Sequence, residues 1–307
     1  MNKTYKRILI LVTLLLLLLL YLLNSNLIIT EFINYTNLFI TKLLPVTFIF
    51  FICTSLLLDY GIIEILSKLL KRNSTTLYII LISLISGFPS GSKYIKDLYQ
   101  KNLITKESAN KLLMSTHFPN PLFILGTVNI IINNKQKTIL ILISIIISNL
   151  IILLLNLPKK NNINITYSPP KSFASSLSNS IFSTIKTILI IYGNSIFFYL
   201  IATIINKYIN FNIHQYIILN GLFDLTKGIT STSLITNSLI KSLYIITFIS
   251  FGGISIHMQV KSILSDTSIN YNYFFLGRLL GTILSIIFFI TMDLVLPYFL
   301  LQIMENN

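Results

Sequence analysis

Two long runs of Ile and Leu stop at glycine-centred breaks: Gly87-Phe88-Pro89-Ser90-Gly91 in the first half and Phe251-Gly252-Gly253-Ile254-Ser255 in the second. An apolar helix interrupted inside a bilayer leaves backbone N–H and C=O groups that lipid cannot satisfy. Such a break survives only within protein or beside a watery cavity. Each break is followed at once by an amphipathic stretch. Two breaks at corresponding places in two halves predict a binding site near the midplane, in the manner of transporters.

Composition places the flanking runs in a membrane. The chain is 54% hydrophobic and only 10% charged, whereas a soluble domain is about 25% charged. The expected fold is all-α: a polytopic helical membrane protein with about seven or eight crossing segments and one or two re-entrant half-helices. Residues 1–30 read as an uncleaved signal-anchor helix, with Lys3, Lys6 and Arg7 before the apolar core Ile8–Leu23, which is slightly short and recruits Leu27 to Ile29. Residues 31–157 form a first half, 158–172 a polar linker with Pro169-Pro170, and 173–307 a second half. Both halves share a loose order of apolar half-helix, glycine break, amphipathic stretch and span, which reads either as a two-half pseudo-repeat or as coincidence in an Ile-rich chain.

Within the first half, Leu38–Leu58 reads as a span and Gly61–Arg72 as an interfacial helix, with Glu64, Lys68, Lys71 and Arg72 on one face. Leu77–Ser86 is half a span. Lys93, Asp97 and Lys101 form a charged ladder after the break, and Thr105 is placed to cap the next helix. Pro119 and Pro121 break that helix. Thr138–Leu157 is a full span. In the second half, Ile181–Ile205 is a span, and Ile213–Leu219 stops at Asn220-Gly221. The last span, Tyr273–Leu300, is interrupted near Asp293.

The net charge of +14 follows from the gathering of basic residues on the cytoplasmic side. Lys3, Lys6 and Arg7, the cluster from Lys68 to Arg72, the lysines between Lys93 and Lys111, and Lys159, Lys160 and Lys171 share one side if the first break is a hairpin. Lys135 and Lys137 fall opposite. The N-terminus is therefore expected in the cytoplasm, with the chain integral to the cell membrane. Only Arg7, Arg72 and Arg278 are arginines. A nucleic-acid groove would use clustered Arg and aromatic residues, so no nucleic-acid partner is expected.

The candidate solute-binding residues are Gly87, Pro89, Ser90, Gly91, Ser92, Asn120, Asp224, Gly252, Gly253 and Ser255. The glycines permit close approach and unusual dihedrals. Exposed N–H groups at a half-helix N-terminus attract hydrogen-bond acceptors, and the serines add hydroxyls. Asn120 offers both a donor and an acceptor. Asp224 is an intramembrane acid, a functional candidate by default, and at i, i+3 it either pairs with Lys227 or serves the site. His117 either joins Asn120 and the two prolines in a second candidate surface or is a satisfied helix-end residue, and His257, four residues before Lys261, reads as facing the interface.

Other chemistries fail on spacing. Gly87–Lys93 has three residues between its glycines and Ser before Lys, so it is not a phosphate loop. Ser90-x-x-Lys93 lacks the accompanying elements of an acyl-transfer site. The three His have no ligand-spaced companions, and Cys53 is single. Neither an enzyme nor a metal or other cofactor is expected.

Three blocks carry a family resemblance. They are the stretch from Ser86 to Glu107 followed by Asn120–Gly126, the stretch Phe251–Val260 with Ser265-Asp266, and Gly277-Arg278-Leu279-Leu280. In this order they resemble the YlbJ family of sporulation integral membrane proteins, over roughly residues 30 to 300. That family belongs to a broader nucleoside-recognition, or gate, domain group. The resemblance implies a membrane protein of endospore formers that moves a small solute, a nucleoside-like one included. The alternative it leaves open is a non-transporting assembly protein of spore formation. The partners implied are the lipid bilayer, a small solute, and a second copy of the chain or other sporulation membrane proteins.

Overall fold

The computed structural model describes residues 3–70, 74–157 and 172–305, and every element in it is helical. In chain order the α-helices are α1 (Lys3–Leu23), α2 (Ser25–Leu38), α3 (Leu44–Asp59), α4 (Ile62–Leu70), α5 (Ser74–Ser86), α6 (Ser90–Gln100), α7 (Lys106–Ser115) and α8 (Pro121–Phe123). They continue with α9 (Asn129–Ile132), α10 (Lys135–Leu155), α11 (Phe173–Tyr208), α12 (Ile213–Phe223), α13 (Leu225–Ser231), α14 (Ser238–Phe251), α15 (Gly253–Ile263) and α16 (Asn272–Glu305). Five stretches are long and apolar enough to span a bilayer: Thr4–Leu23, Lys135–Leu155, Phe173–Tyr208, Ser238–Ile263 and Asn272–Val295. Three shorter apolar helices, Thr47–Asp59, Thr75–Ser86 and Pro121–Ile132, accompany them. The protein is an all-α polytopic membrane protein.

Several boundaries differ from the sequence reading. The first helix does not recruit Leu27 to Ile29. The chain turns at Asn24, whose side chain is buried and donates to Leu20 O (2.6 Å) and Tyr208 Oη (2.9 Å) while accepting from Lys207 Nζ (2.5 Å). Those bonds join the α1–α2 corner to the end of α11. Helix α12 does not stop at Asn220-Gly221 but runs on to Phe223. Gly221 is there for packing: a Cβ on it would lie 2.2 Å from the Phe248 ring. Helix α16 passes through Asp293 without interruption, and that carboxylate pairs with Lys137 at 3.4 Å. Lys93 pairs with Asp97 (2.8 Å), but Lys101 leaves the ladder for Asp59 (2.5 Å). The linker, apart from Ser172, lies outside the described residues, as do Lys71 and Arg72. Ser172 itself caps α11, accepting from Ser175 N at 3.2 Å.

Prolines shape the segments around the site. Pro45 and Pro121 each stand beside a short π-helical stretch, Phe39–Leu43 before α3 and Ile124–Val128 after α8. A proline cannot donate into the helical ladder, and a widened turn is one way the backbone adjusts. Thr105 caps α7 by accepting from Ser108 N (3.2 Å).

The larger apolar core joins α6, α7, α10, α14, α15 and α16 through side chains such as Leu98, Leu112, Ile141, Ile245, Val260 and Phe289. A second cluster joins α2, α3 and α11 around Tyr35, Phe39, Phe51 and Ile191, and takes in Tyr94 of α6. The candidate site lies where these two bodies meet.

Candidate functional site

Four helix interruptions converge on this region: α5/α6 at Gly87–Pro89, α7/α8 at Thr116–Asn120, α12/α13 at Asp224, and α14/α15 at Gly252. The first depends on two glycines. Gly87 has a φ of +77°, and a Cβ on it would lie 2.7 Å from Asn120 N. A Cβ on Gly91 would lie 2.3 Å from Thr116 O. So the α5/α6 and α7/α8 interruptions touch backbone to backbone, as only glycine allows. The Phe88–Pro89 peptide is cis. Ser90 and Ser92 are buried and bond their own turn, Ser90 to Gly87 O and to Ser86 Oγ (2.6 Å), and Ser92 to Pro89 O (2.6 Å).

In the second half, Gly252 ends α14 and Gly253 begins α15, with φ of +98° and +65°. A Cβ on Gly253 would lie 2.8 Å from Gly221 O, so α15 starts against the end of α12. Asp224 caps α13: its Oδ1 accepts from Lys227 N (3.0 Å) and its Oδ2 from Ser255 Oγ (3.2 Å). The carboxylate is thus fixed between the first turns of α13 and α15, where the helix dipoles favour negative charge. Lys227 does not form an ion pair with it. The ammonium lies over the Tyr199 ring (4.2 Å), donates to Tyr199 O (3.3 Å) and bonds Thr203 Oγ1. Tyr199 in turn donates to Glu31 Oε2 at 2.6 Å.

Between these interruptions and the α2–α3 and α11 wall is a cavity of about 520 Å³. Pro89 and Asn120 reach it from the first half, Asp224 and Ser255 from the second. Both π-helical stretches contribute, through Phe39 and Thr41 and through Gly126 and Thr127. Of the remaining sequence candidates, Gly87, Ser90, Gly91, Ser92, Gly252 and Gly253 are not on the cavity wall. They set the backbone behind it. Asn120 faces the cavity with its Oδ1 already accepting from Leu122 N (2.8 Å).

Four buried polar residues stand behind the site, and two of them, Arg278 and Asn149, were not candidates from the sequence. Arg278 of α16 is fully buried. It donates to Met114 O (2.8 Å), Ser250 O (3.3 Å) and Asn149 Oδ1 (2.8 Å). Met114 and Ser250 lie in the last turns of α7 and α14, so one guanidinium joins the ends of two interrupted helices. Asn149 continues the link by donating to His117 O at 3.2 Å. His257 does not face the interface: it is buried, with Nδ1 2.7 Å from Tyr271 Oη and Nε2 3.0 Å from Phe251 O. His117 is buried with no partner at Nε2, and its ring stacks on Phe88 at 4.6 Å. The sequence signal for Arg278 was its place in the Gly277-Arg278-Leu279-Leu280 block.

No protein-family model and no solved structure matches the chain. Among curated proteins, the chain is similar to the sporulation integral membrane protein YlbJ of Bacillus subtilis (strain 168), at 25% identity over 293 residues, covering 78% of this chain and 71% of that protein. The match supports membership in that protein's family, the one the three sequence blocks resemble.

Proposed function

We propose that this member of the YlbJ family of sporulation integral membrane proteins is a non-enzymatic permease that moves a small solute through the central cavity, with its N-terminus in the cytoplasm. One observation carries the reading. The 520 Å³ cavity is walled by interrupted helices from both halves, and those interruptions bring Asn120 and Asp224 to it. Interrupted helices at membrane depth are tolerated where they line such a space, and a site between two packed bodies, each built from both sequence halves, is an arrangement that alternating access can use. In this mechanism the solute sits between Asn120 and Asp224. The α2–α3–α11 body then rocks against the body built on α7, α10, α14 and α16.

The test is uptake into vesicles reconstituted with the full chain, using a panel of nucleosides, nucleobases, amines and small carboxylates. A transported solute should raise the thermal stability of the purified protein, because it binds only the folded form. Asn120→Ala and Asp224→Asn should each reduce uptake at least tenfold, or about 1.4 kcal/mol of lost interaction. Uptake that both substitutions leave unchanged would remove the cavity from the pathway. An assembly protein that transports nothing would instead tolerate both and lose function through exposed basic positions such as Lys101.

A further inference from the structure

We infer that the cavity takes a small organic ammonium ion with an apolar body. The inference rests on the cavity being the solute site, and it names the charge and class of that solute.

Among the described residues, Asp224 is the sole charged group on the cavity wall. It is 2% exposed, and only neutral donors reach its oxygens: the backbone N–H groups of Lys227 and Thr226 and the Ser255 hydroxyl. The neighbouring cation is committed elsewhere, since Lys227 sits on Tyr199 and Thr203. Glu31, which accepts from the Tyr199 hydroxyl, is a second carboxylate beside that one ammonium. Glu31, Lys227 and Asp224 together therefore carry one negative charge in excess. A buried carboxylate that shares its one nearby ammonium with a second carboxylate is costly in a bilayer, where such groups are normally paired one to one. A positively charged solute supplies the missing partner.

The rest of the wall selects the kind of cation. Tyr35, Phe39, Phe88 and Phe123 place four aromatic rings on it, alongside Leu38 and Ile256. Aromatic faces attract ammonium groups through the ring quadrupole and attract apolar groups by contact. A bare metal ion instead asks for six or more oxygen ligands, and an aromatic wall does not supply them. The volume of about 520 Å³ also lies within the range of small-molecule pockets, far beyond what one inorganic ion fills.

The experiment is a binding titration, followed by thermal shift, on the purified full chain. The probes are benzylammonium, its neutral analogue benzyl alcohol, benzoate, and sodium chloride alone. Asp224→Asn is the informative variant, because asparagine also caps helices well and keeps the bond to Lys227 N. Phe123→Leu is the second variant and removes one ring. The expected result is that benzylammonium binds wild type at least tenfold more tightly than benzyl alcohol, that Asp224→Asn abolishes that preference, and that Phe123→Leu weakens benzylammonium several-fold. If benzyl alcohol or benzoate binds as tightly as benzylammonium and Asp224→Asn changes nothing, the cation inference fails while the solute cavity stands. If sodium alone gives the full stabilisation and Phe123→Leu has no effect, the site is an inorganic-ion site and the organic class is wrong. No binding of any probe, together with vesicle uptake that Asn120→Ala and Asp224→Asn leave unchanged, would overturn both the inference and the permease reading.

Discussion

Arg278 shows how a single residue can hold an interrupted membrane helix in place. Its guanidinium has no carboxylate partner among the described residues, yet it is fully buried. The compensation comes from carbonyl oxygens in the last turns of α7 and α14, where the helix macrodipole is negative, and from the Asn149 amide. Arginine suits this role because its planar fork reaches several acceptors at once, which a lysine ammonium does not. Replacing it leaves buried acceptors without donors, at about 1–3 kcal/mol each. Arg278→Met is therefore expected to lower the melting temperature of the detergent-purified protein, by about 3 kcal/mol of stability. Arg278→Lys should recover less than half of that loss. A Met variant that melts with the wild type would show that the carbonyl contacts carry no weight. This residue could not be read from sequence as a joint, because its partners are 28, 129 and 164 positions away. Asp224 was readable, since an acid in an apolar run stands out locally, but its actual partner Ser255 is 31 residues distant.

At the scale of the helices, the interruptions were legible where glycine and proline mark the chain and misplaced where glycine serves packing. Gly87, Pro89, Gly252 and Gly253 sit at real breaks because positive φ or a missing N–H ends the ladder there. Gly221 sits inside α12, and the true interruption comes at Asp224, whose carboxylate restarts the chain as α13. From sequence, a glycine that admits a neighbouring ring looks like one that bends the backbone. The structure separates them, and substitution should too. Gly91→Ala places a Cβ 2.3 Å from Thr116 O, and Gly277→Ala places one 2.2 Å from Met114 O. Neither carbonyl belongs to a flexible side chain, so helices must separate. Each variant is expected to lose about 1–3 kcal/mol, the usual cost of overpacking. Gly193→Ala meets nothing within 4 Å, so it should be neutral or gain up to about 1 kcal/mol from the stiffer unfolded chain. Thermal unfolding of the three variants side by side decides the matter, and equal melting of Gly91→Ala and Gly193→Ala would contradict the close approach.

For the molecule as a whole, the sequence announces that the helices are apolar but not which of them meet protein and which meet lipid. Lipid tails are as apolar as leucine, so burial in the core and exposure to the bilayer select the same residues. Helix α1 and helix α7 illustrate the two outcomes. Leu15 in α1 is 66% exposed, whereas Leu112 in α7 is fully enclosed. The two sites differ energetically as well: removing a leucine from a packed site loses dispersion contacts and leaves a cavity, while removing one from a lipid-facing site lets a tail fill the space. Leu112→Ala is expected to cost about 2–5 kcal/mol and Leu15→Ala less than about 0.5 kcal/mol. Both are read as shifts in melting temperature in one detergent. An α1 leucine that proved as costly as Leu112 would mean that α1 has a packing partner outside this chain. A second copy of the protein would then be the first candidate, and crosslinking of wild type against the Leu15→Ala variant would identify it.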